Sequence, residues 1–250
     1  MIKPLPEDIN LLNDLDPITL KEMDGVKLMN RTDTKFVFKR ELLSGFLEIL
    51  KAQYRVLNIN DNLISSYKTL YFDTPEFQFF QDHHNGKGNR FKVRIRNYVE
   101  SDLFFLEIKN KYKGRTAKSR IKLPDFELDL KKKSNNYISE VIGSPIDLDS
   151  KLWNNFNRIT LVNNNEKERL TLDLDLSFDW DGKKISYEHV VIAELKQENA
   201  NRSSLFYSIM KKNGIRPNGM SKYCVGTVAL YPELKYNNFK EKILLIEKLI

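Results

Sequence analysis

The chain has 250 residues, 41% of them apolar, which is enough to bury a full core in one domain. Its formal charge of +7 attracts polyanions, whether phosphate chains, nucleic acid or anionic lipid, and the single cysteine, Cys224, excludes an intrachain disulfide framework. No Cys and His cluster suits zinc, Met1 to Leu12 lacks the pattern of a signal peptide, and no run approaches the roughly 18 apolar residues of a membrane span. A soluble, cytoplasmic protein is therefore expected, with attachment to a membrane-protein partner left open.

In chain order, Leu42, Leu43, Phe46, Leu47 and Leu50 recur at helical spacing and predict a helix from Arg40 to Ala52. Asp61-Asn62 predicts a hairpin turn. Thr74-Pro75-Glu76 places a cap before a proline at the first helical position and predicts a short helix toward Gln81. His83 and His84 follow, and because neighbouring side chains diverge both are expected on the surface. From Arg90 to Leu123 three alternating runs, broken at Glu100-Ser101-Asp102 and around Lys113-Gly114-Arg115, predict a strand meander. The polar stretch Lys131 to Asn136 reads as an exposed connection. Arg169 to Trp180 and Lys184 to Gln197 read as strands joined at Asp181-Gly182, a favoured type I′ dipeptide. Further helices are predicted over Ser203 to Lys212, Ser221 to Leu230 and about 238–249, the last packing its apolar side on the sheet. Trp153 and Trp180 are expected between helices and sheet. Without repeats or low-complexity tracts, 1–250 reads as a single domain.

Cations gather on single strand faces. Successive strand side chains point to opposite sides, so Arg90, Lys92, Arg94, Arg96 and Tyr98 share one face while Phe91, Val93 and Ile95 share the other. The next run sets Glu107, Lys109 and Lys111 against Phe104, Leu106 and Ile108, and the third sets Thr116, Lys118, Arg120 and Lys122 against Ala117 and Ile121. Adjacent strands then bring cation to cation at about 5 Å, which costs a few tenths to about 1 kcal/mol per pair in water. In an enclosed site of effective dielectric about 20 the cost grows toward about 4 kcal/mol for a unit pair at about 4 Å. A bound polyanion relieves it. The plain alternative is a solvated charged face, but such a face mixes signs, and the polar face of Arg90 to Tyr98 holds no acid. Nucleic acid is not the expected partner, since no recognised motif accompanies the cations and they recur on several strands instead of forming one exposed stripe.

Acids concentrate elsewhere. Arg169, Thr171, Asp173, Asp175 and Ser177 share one face of their run, and Glu194, Lys196 and Glu198 share a face of another. Mn²⁺ or Mg²⁺ takes hard oxygen ligands, commonly one or two carboxylates with water and substrate phosphates, so Glu194 and Glu107 are candidate metal ligands; ion pairing with the cations is the structural alternative.

Several ordered segments together resemble the VTC domain of polyphosphate polymerases, within the superfamily of triphosphate tunnel metalloenzymes. They are Arg31 to Phe36, Tyr71-Phe72-Asp73-Thr74, Val93 to Tyr98, Leu106 to Lys109, Lys118-Ser119-Arg120, Phe156-Asn157-Arg158, Arg169 to Asp173, Ala193 to Lys196 and Ser221-Lys222-Tyr223. The resemblance implies an α+β fold, a closed antiparallel β-barrel that forms a triphosphate tunnel with surrounding helices. It implies ATP and polyphosphate or triphosphate as ligands and Mn²⁺ or Mg²⁺ as cofactor, with Lys35, Arg94, Arg96, Lys109, Arg120, Arg158, Arg169, Lys196 and Lys222 acting on phosphate and Glu194 on the metal. Arg90, Lys92 and Lys118 join the phosphate-binding set through the strand faces. The implied activity is transfer of the terminal phosphate of ATP onto a phosphate chain, with triphosphate hydrolysis or non-catalytic polyphosphate sensing as alternatives. One departure is Gly219-Met220-Ser221-Lys222, where the family often reads Lys-Phe-Ser-Lys, so one expected cation is absent. The fused regulatory and membrane-spanning parts of eukaryotic relatives have no counterpart in the resemblance.

Overall fold

The alternating runs become strands, and among the described residues eleven form. The computed structural model describes residues 6–24 and 32–249; Arg31 of the first motif lies outside them. In chain order the elements are α1 (Pro6–Asn13), β1 (Pro17–Ile18), α2 (Leu20–Asp24), β2 (Thr32–Lys39), a 3₁₀ turn leading into α3 (Leu43–Leu50), β3 (Tyr54–Leu57), β4 (Ile64–Asp73), α4 (Gln78–His84) and β5 (Asn89–Tyr98). Then come β6 (Leu103–Tyr112), β7 (Arg115–Leu123), α5 (Lys132–Ile142), β8 (Asp149–Asn163), β9 (Glu168–Trp180), β10 (Lys183–Tyr187), β11 (Val190–Gln197), α6 (Leu205–Lys212), α7 (Lys222–Leu230) and α8 (Lys240–Glu247).

Eight strands pair in the order β2-β11-β9-β8-β4-β5-β6-β7, all antiparallel, with β10 added to β9 and β3 to β8. The meander β5-β6-β7 forms as expected, its turns made by Asp102 (φ 48°) and by Lys113 and Gly114 (φ 46° and 84°). Asp181 and Gly182 (φ 48° and 75°) make the turn between β9 and β10, both central residues having the positive φ that a type I′ hairpin needs. The sheet curls until Lys109 on β6 feels the charges of Glu194 on β11 and Lys35 on β2, five and six strands away along the ladder. Among the described residues β2 and β7 do not pair, so in place of the expected closed barrel the ladder ends at these two strands.

The convex side is covered twice. Phe36, Phe38, Leu161, Leu170, Leu172 and Leu195 pack under α1, α3 and α6, while Leu70, Val93, Ile95, Leu106 and Ile108 pack under α5. Most of these side chains are fully buried, each worth roughly 1.5–3 kcal/mol of apolar transfer. A third cluster closes one end of the concave side, where α7 and the C-terminal segment set Tyr223, Val225, Val228, Phe239 and Ile246 against Tyr71, Leu152, Phe156, Leu176 and Phe178.

Five local expectations are corrected. Lys131 to Asn136 is not an exposed connection: α5 begins there, with Ser134 and Ile138 buried at helical spacing inside an otherwise polar sequence. Asp61-Asn62 does reverse the chain, with an isolated bridge from Ile59 to Asn62, but β3 and β4 each pair with β8 and make no hairpin. The run Lys184 to Gln197 is two strands, parted at Glu188-His189. The helix after Pro75 starts only at Gln78, after Phe77 in the left-handed region (φ 59°). Asp73 caps it, its carboxylate accepting from the Phe79 and Phe80 amides at 2.8 and 2.9 Å, while Thr74 Oγ accepts from Gln78 N at 2.9 Å. Last, His84 is buried, not on the surface, because the Asn238 amide donates to its Nε2 at 3.3 Å and the Asn238 side chain donates to its carbonyl at 2.7 Å.

Strand β9 carries one more departure. The ladder with β8 shifts register between Asn155 and Asn157, and Asp175 takes a left-handed φ of 53°. The extra residue is a β-bulge, and it exchanges the faces of the strand. Leu170, Leu172 and Leu174 pack on the convex side, but Leu176 and Phe178 pack in the concave cluster. Asp175 and Ser177 therefore do not share the concave face with Asp173.

Candidate functional site

Register brings the predicted cations into rows on the concave face. Lys92 on β5 lies opposite Lys109 on β6, which lies opposite Lys118 on β7, and this row contains no acid. In the next row Arg94, Glu107 and Arg120 alternate in sign. Like charges at cross-strand distance repel, and the lysines register it. Lys109 is held well below the usual 10.5 of a lysine, first by Arg94 and then by burial, with only partial relief from Glu194. Lys92 and Lys118 are also lowered, chiefly by burial.

Arg96 is 7% exposed and donates from Nε to Thr69 Oγ1 at 3.2 Å, with no ion pair to a carboxylate among the described residues. Its guanidinium lies 5.4 Å from the Tyr67 ring and 5.6 Å from that of Phe156; these two rings stack at 5.0 Å with 2° between their planes. Arg158 sits over the same two rings at 5.1 and 5.2 Å, and Lys222 over Phe156 at 4.5 Å. An aromatic stack thus orients three cations without neutralising them. Sequence reasoning missed Tyr67, Thr69 and Tyr71 of β4, although their alternation places them on the same face as Asp73.

Three carboxylates balance part of this charge. Glu107 is fully buried; Arg94 donates to its Oε2 from Nε and Nη2 at 2.9 and 2.7 Å, and Lys118 and Tyr98 donate to its Oε1 at 2.5 and 3.3 Å. Burial alone would raise its pKa, but Arg94, Arg96 and Lys118 outweigh that and hold it well below the usual carboxylate range. Asp173 accepts from Arg158 Nε at 2.5 Å and Nη2 at 2.8 Å and from Lys222, and these cations likewise overcome burial and hold it down. Glu194, 21% exposed at its side chain, pairs with Lys196 and stands 3.6 Å from Lys35; the two lysines lower its pKa against the opposing effect of burial. Lys35 also donates to the Met220 carbonyl at 3.0 Å, which ties β2 to the segment before α7.

The structure therefore gathers Lys35, Lys92, Arg94, Arg96, Lys109, Lys118, Arg158, Lys196 and Lys222 around one concavity. Arg169 stands opposite Lys196 in the ladder, with its Nη1 3.9 Å from Met23 Sδ. Arg90 and Arg120 are more peripheral: Arg90 donates to the Lys87 carbonyl at 2.6 Å, and Arg120, exposed on the last strand, packs 4.5 Å over the Phe105 ring. Gly219, where a cation is expected by resemblance, is exposed, with open space where a side chain would stand.

A divalent metal has limited protein support. Among the described residues no group of three His, Cys, Asp or Glu side chains converges on one point. Both oxygens of Glu107 are taken by Arg94, Lys118 and Tyr98, whereas Glu194 is partly exposed and faces the cavity. A hard cation there would have to take most of its oxygens from phosphate and water, and Glu194, itself paired with Lys196, is the partly exposed carboxylate that could reach it.

A family model for the VTC domain matches residues 30–231. The chain belongs to the VTC domain family. No curated protein matches it. Among solved structures, a candidate adenylate cyclase of Bacillus halodurans aligns with a TM-score of 0.50 at 14% identity, covering 81% of this chain and 99% of the other. A candidate adenylyl cyclase of Hippeastrum, described as having a dominant triphosphatase activity, gives 0.48 at 15% identity over 79% and 96% of the two chains. A candidate adenylate cyclase of Vibrio parahaemolyticus gives 0.46 at 13% over 77% and 96%. Among the described residues of this VTC domain no helix is long and apolar enough to cross a membrane.

Proposed function

We propose that this VTC domain is a metal-dependent polyphosphate polymerase that moves the terminal phosphate of ATP onto a phosphate chain and releases ADP. The observation that carries the proposal is the acid-free row Lys92, Lys109 and Lys118 beside the unneutralised Arg96, an arrangement whose repulsion a chain of phosphates relieves. Phosphoryl transfer asks little covalent chemistry of the protein; it asks for in-line placement and neutralised charge. Arg94 and Arg96 would grip the transferring group, Lys92, Lys109 and Lys118 the growing chain, and Arg158, Lys196 and Lys222 the phosphates on the opposite wall. Glu107 would act by fixing the Arg94 guanidinium. Mn²⁺ or Mg²⁺ bound at Glu194 would supply further charge neutralisation on the phosphate oxygens.

Incubating the protein with ATP and Mn²⁺ should yield ADP and a ladder of phosphate chains, and Arg94→Ala or Arg96→Ala should weaken phosphate-chain binding at least tenfold. ADP without chains would replace the polymerase by a hydrolase, and unchanged affinity in both variants would remove the cavity assignment. The exposed glycine at position 219 favours a second reading, cleavage of a short triphosphate to diphosphate and phosphate, because the absent cation removes one grip on a long chain. Product length separates the two. Tight binding without turnover would leave a polyphosphate sensor.

A further inference from the structure

Strand β4 lays two hydroxyls against the central arginines of the concave face. In the ladder Tyr71 stands opposite Arg94 and Thr69 opposite Arg96, so the two pairs form a two-by-two array on one face. Both side chains are buried, at 3% and 0% exposure. Each hydroxyl oxygen accepts from its arginine, Tyr71 Oη from Arg94 Nη1 at 3.1 Å and Thr69 Oγ1 from Arg96 Nε at 3.2 Å. A guanidinium has donors only, so neither contact uses the hydroxyl's own proton.

Among the described residues neither of those two protons has an acceptor. Comparable groups do find one. Tyr54 and Tyr223, the other buried tyrosines among the described residues, donate to Glu168 and Asp73, and the equally buried Thr227 donates to the Tyr223 carbonyl at 2.9 Å. A buried O–H that cannot donate gives up a hydrogen bond that water offered it.

The surroundings narrow the acceptor. Lys92, Arg94 and Arg96 of β5 act on the Tyr71 phenol, and the Tyr223 ring of α7 packs 5.1 Å from it. Burial alone would raise the phenol's pKa, yet these cations lower it from the usual 10, which makes its O–H a stronger donor. A group that fits against two arginines and two O–H donors is an oxyanion, whose oxygens can all accept. Hydroxyls also suit this cavity because each adds a donor without a charge. A further lysine or arginine would raise the repulsion already met along the row Lys92, Lys109 and Lys118.

We propose that Tyr71 and Thr69 touch the substrate, each donating its O–H to an oxygen of the phosphate group that Arg94 and Arg96 hold. Each hydroxyl then works in both directions, accepting from its arginine and donating to phosphate. The assignment rests on the reading of the concavity as a phosphate site, and it adds β4 to the strands that contact the ligand. Tripolyphosphate titrations followed by calorimetry test it. Tyr71→Phe and Thr69→Val lose the O–H and should each weaken binding about tenfold or more, while Thr69→Ser keeps the hydroxyl and should bind as the parent does. Because losing the oxygen also loosens the arginine, a second measurement isolates the proton. Tyr71→3,5-difluorotyrosine keeps the ring and the oxygen but makes the O–H more acidic. The pH above which affinity falls should then move lower, since a phenolate cannot donate and repels phosphate; a hydroxyl that merely props Arg94 would leave that pH in place. Parent-like affinity in Tyr71→Phe or in Thr69→Val would overturn the contact of that hydroxyl, and an unmoved pH limb would overturn that of Tyr71. A parent protein that binds no tripolyphosphate would remove the cavity reading itself, whereas silent variants of a binding parent would remove only the hydroxyl contacts.

Discussion

Glu107 shows how much of the cavity depends on single charges. A fully buried carboxylate that accepts from Arg94, Lys118 and Tyr98 offsets two cations that otherwise face Arg96 and Lys109. Glu107→Gln keeps the volume but leaves those cations uncompensated, and removing one partner of a buried pair costs about 3 kcal/mol or more. The variant should melt well below the parent, and tripolyphosphate should recover a larger part of the loss than it adds to the parent; a melting temperature equal to the parent's would show that the carboxylate balances nothing. Lys109 makes a second prediction. Its charged form is disfavoured by Arg94 and burial, and an arriving phosphate favours that form, so binding takes up protons. Affinity for tripolyphosphate should therefore fall as pH rises, starting below the usual lysine value of 10.5. Calorimetry in two buffers of different ionisation enthalpy would detect the uptake, and identical heats would contradict it. These lysines and arginines were legible in the sequence because strict period-two alternation on β5, β6 and β7 leaves no choice of face. The roles of Tyr67 and Phe156 were not, because an aromatic in a strand reads as core, and only tertiary packing places the two rings together beneath the arginines.

At the scale of elements, α7 decides where one wall of the cavity stands. Ser221 caps it, its hydroxyl accepting from Cys224 N at 3.3 Å, and Lys222 in its first turn reaches Asp173. Tyr223 donates to the buried Asp73, which also caps α4, so one carboxylate joins both helices to the end of β4. The helix lies so close to β9 that a Cβ on Gly226 would overlap the Phe178 ring. Gly226→Ala should push α7 off the sheet, costing about 1–3 kcal/mol as overpacking does, and should weaken tripolyphosphate binding because Lys222 moves with the helix. The companion Phe178→Leu, Gly226→Ala double variant should regain part of both losses; equal losses in single and double variants would place the strain elsewhere. This helix was readable from its apolar content, whereas α5 was hidden, since its sequence is largely polar and its buried residues emerge only once the β5-β6-β7 outer face is there to cover. The β9 bulge was equally invisible: alternation continues in sequence through Asp175 while the backbone exchanges faces.

At the scale of the molecule, a chain of net charge +7 folds a sheet that turns its like charges inward and leaves its end strands unpaired among the described residues. Such a cavity is under electrostatic load until an anion enters. A ligand that binds only the folded state stabilises it by about 2.7 kcal/mol at a hundredfold excess over its dissociation constant. Tripolyphosphate and longer chains should therefore raise the melting temperature by several degrees, and orthophosphate by much less, because one phosphate cannot span the rows from Lys118 to Lys35. Plain screening would behave differently, acting through ionic strength alone and falling off over a Debye length of about 8 Å at physiological salt. The two accounts separate when melting temperatures are compared at matched ionic strength across sulfate, orthophosphate, tripolyphosphate and longer chains. A rise that follows the number of linked phosphates supports a cavity that grips a chain, and equal shifts for all four would reduce the concave face to a screened surface. Hydrogen exchange gives the same test a location: amides of β2 and β7 should slow more than those of β8 when the chain binds, since linked phosphates would draw together the two strands that the ladder leaves apart.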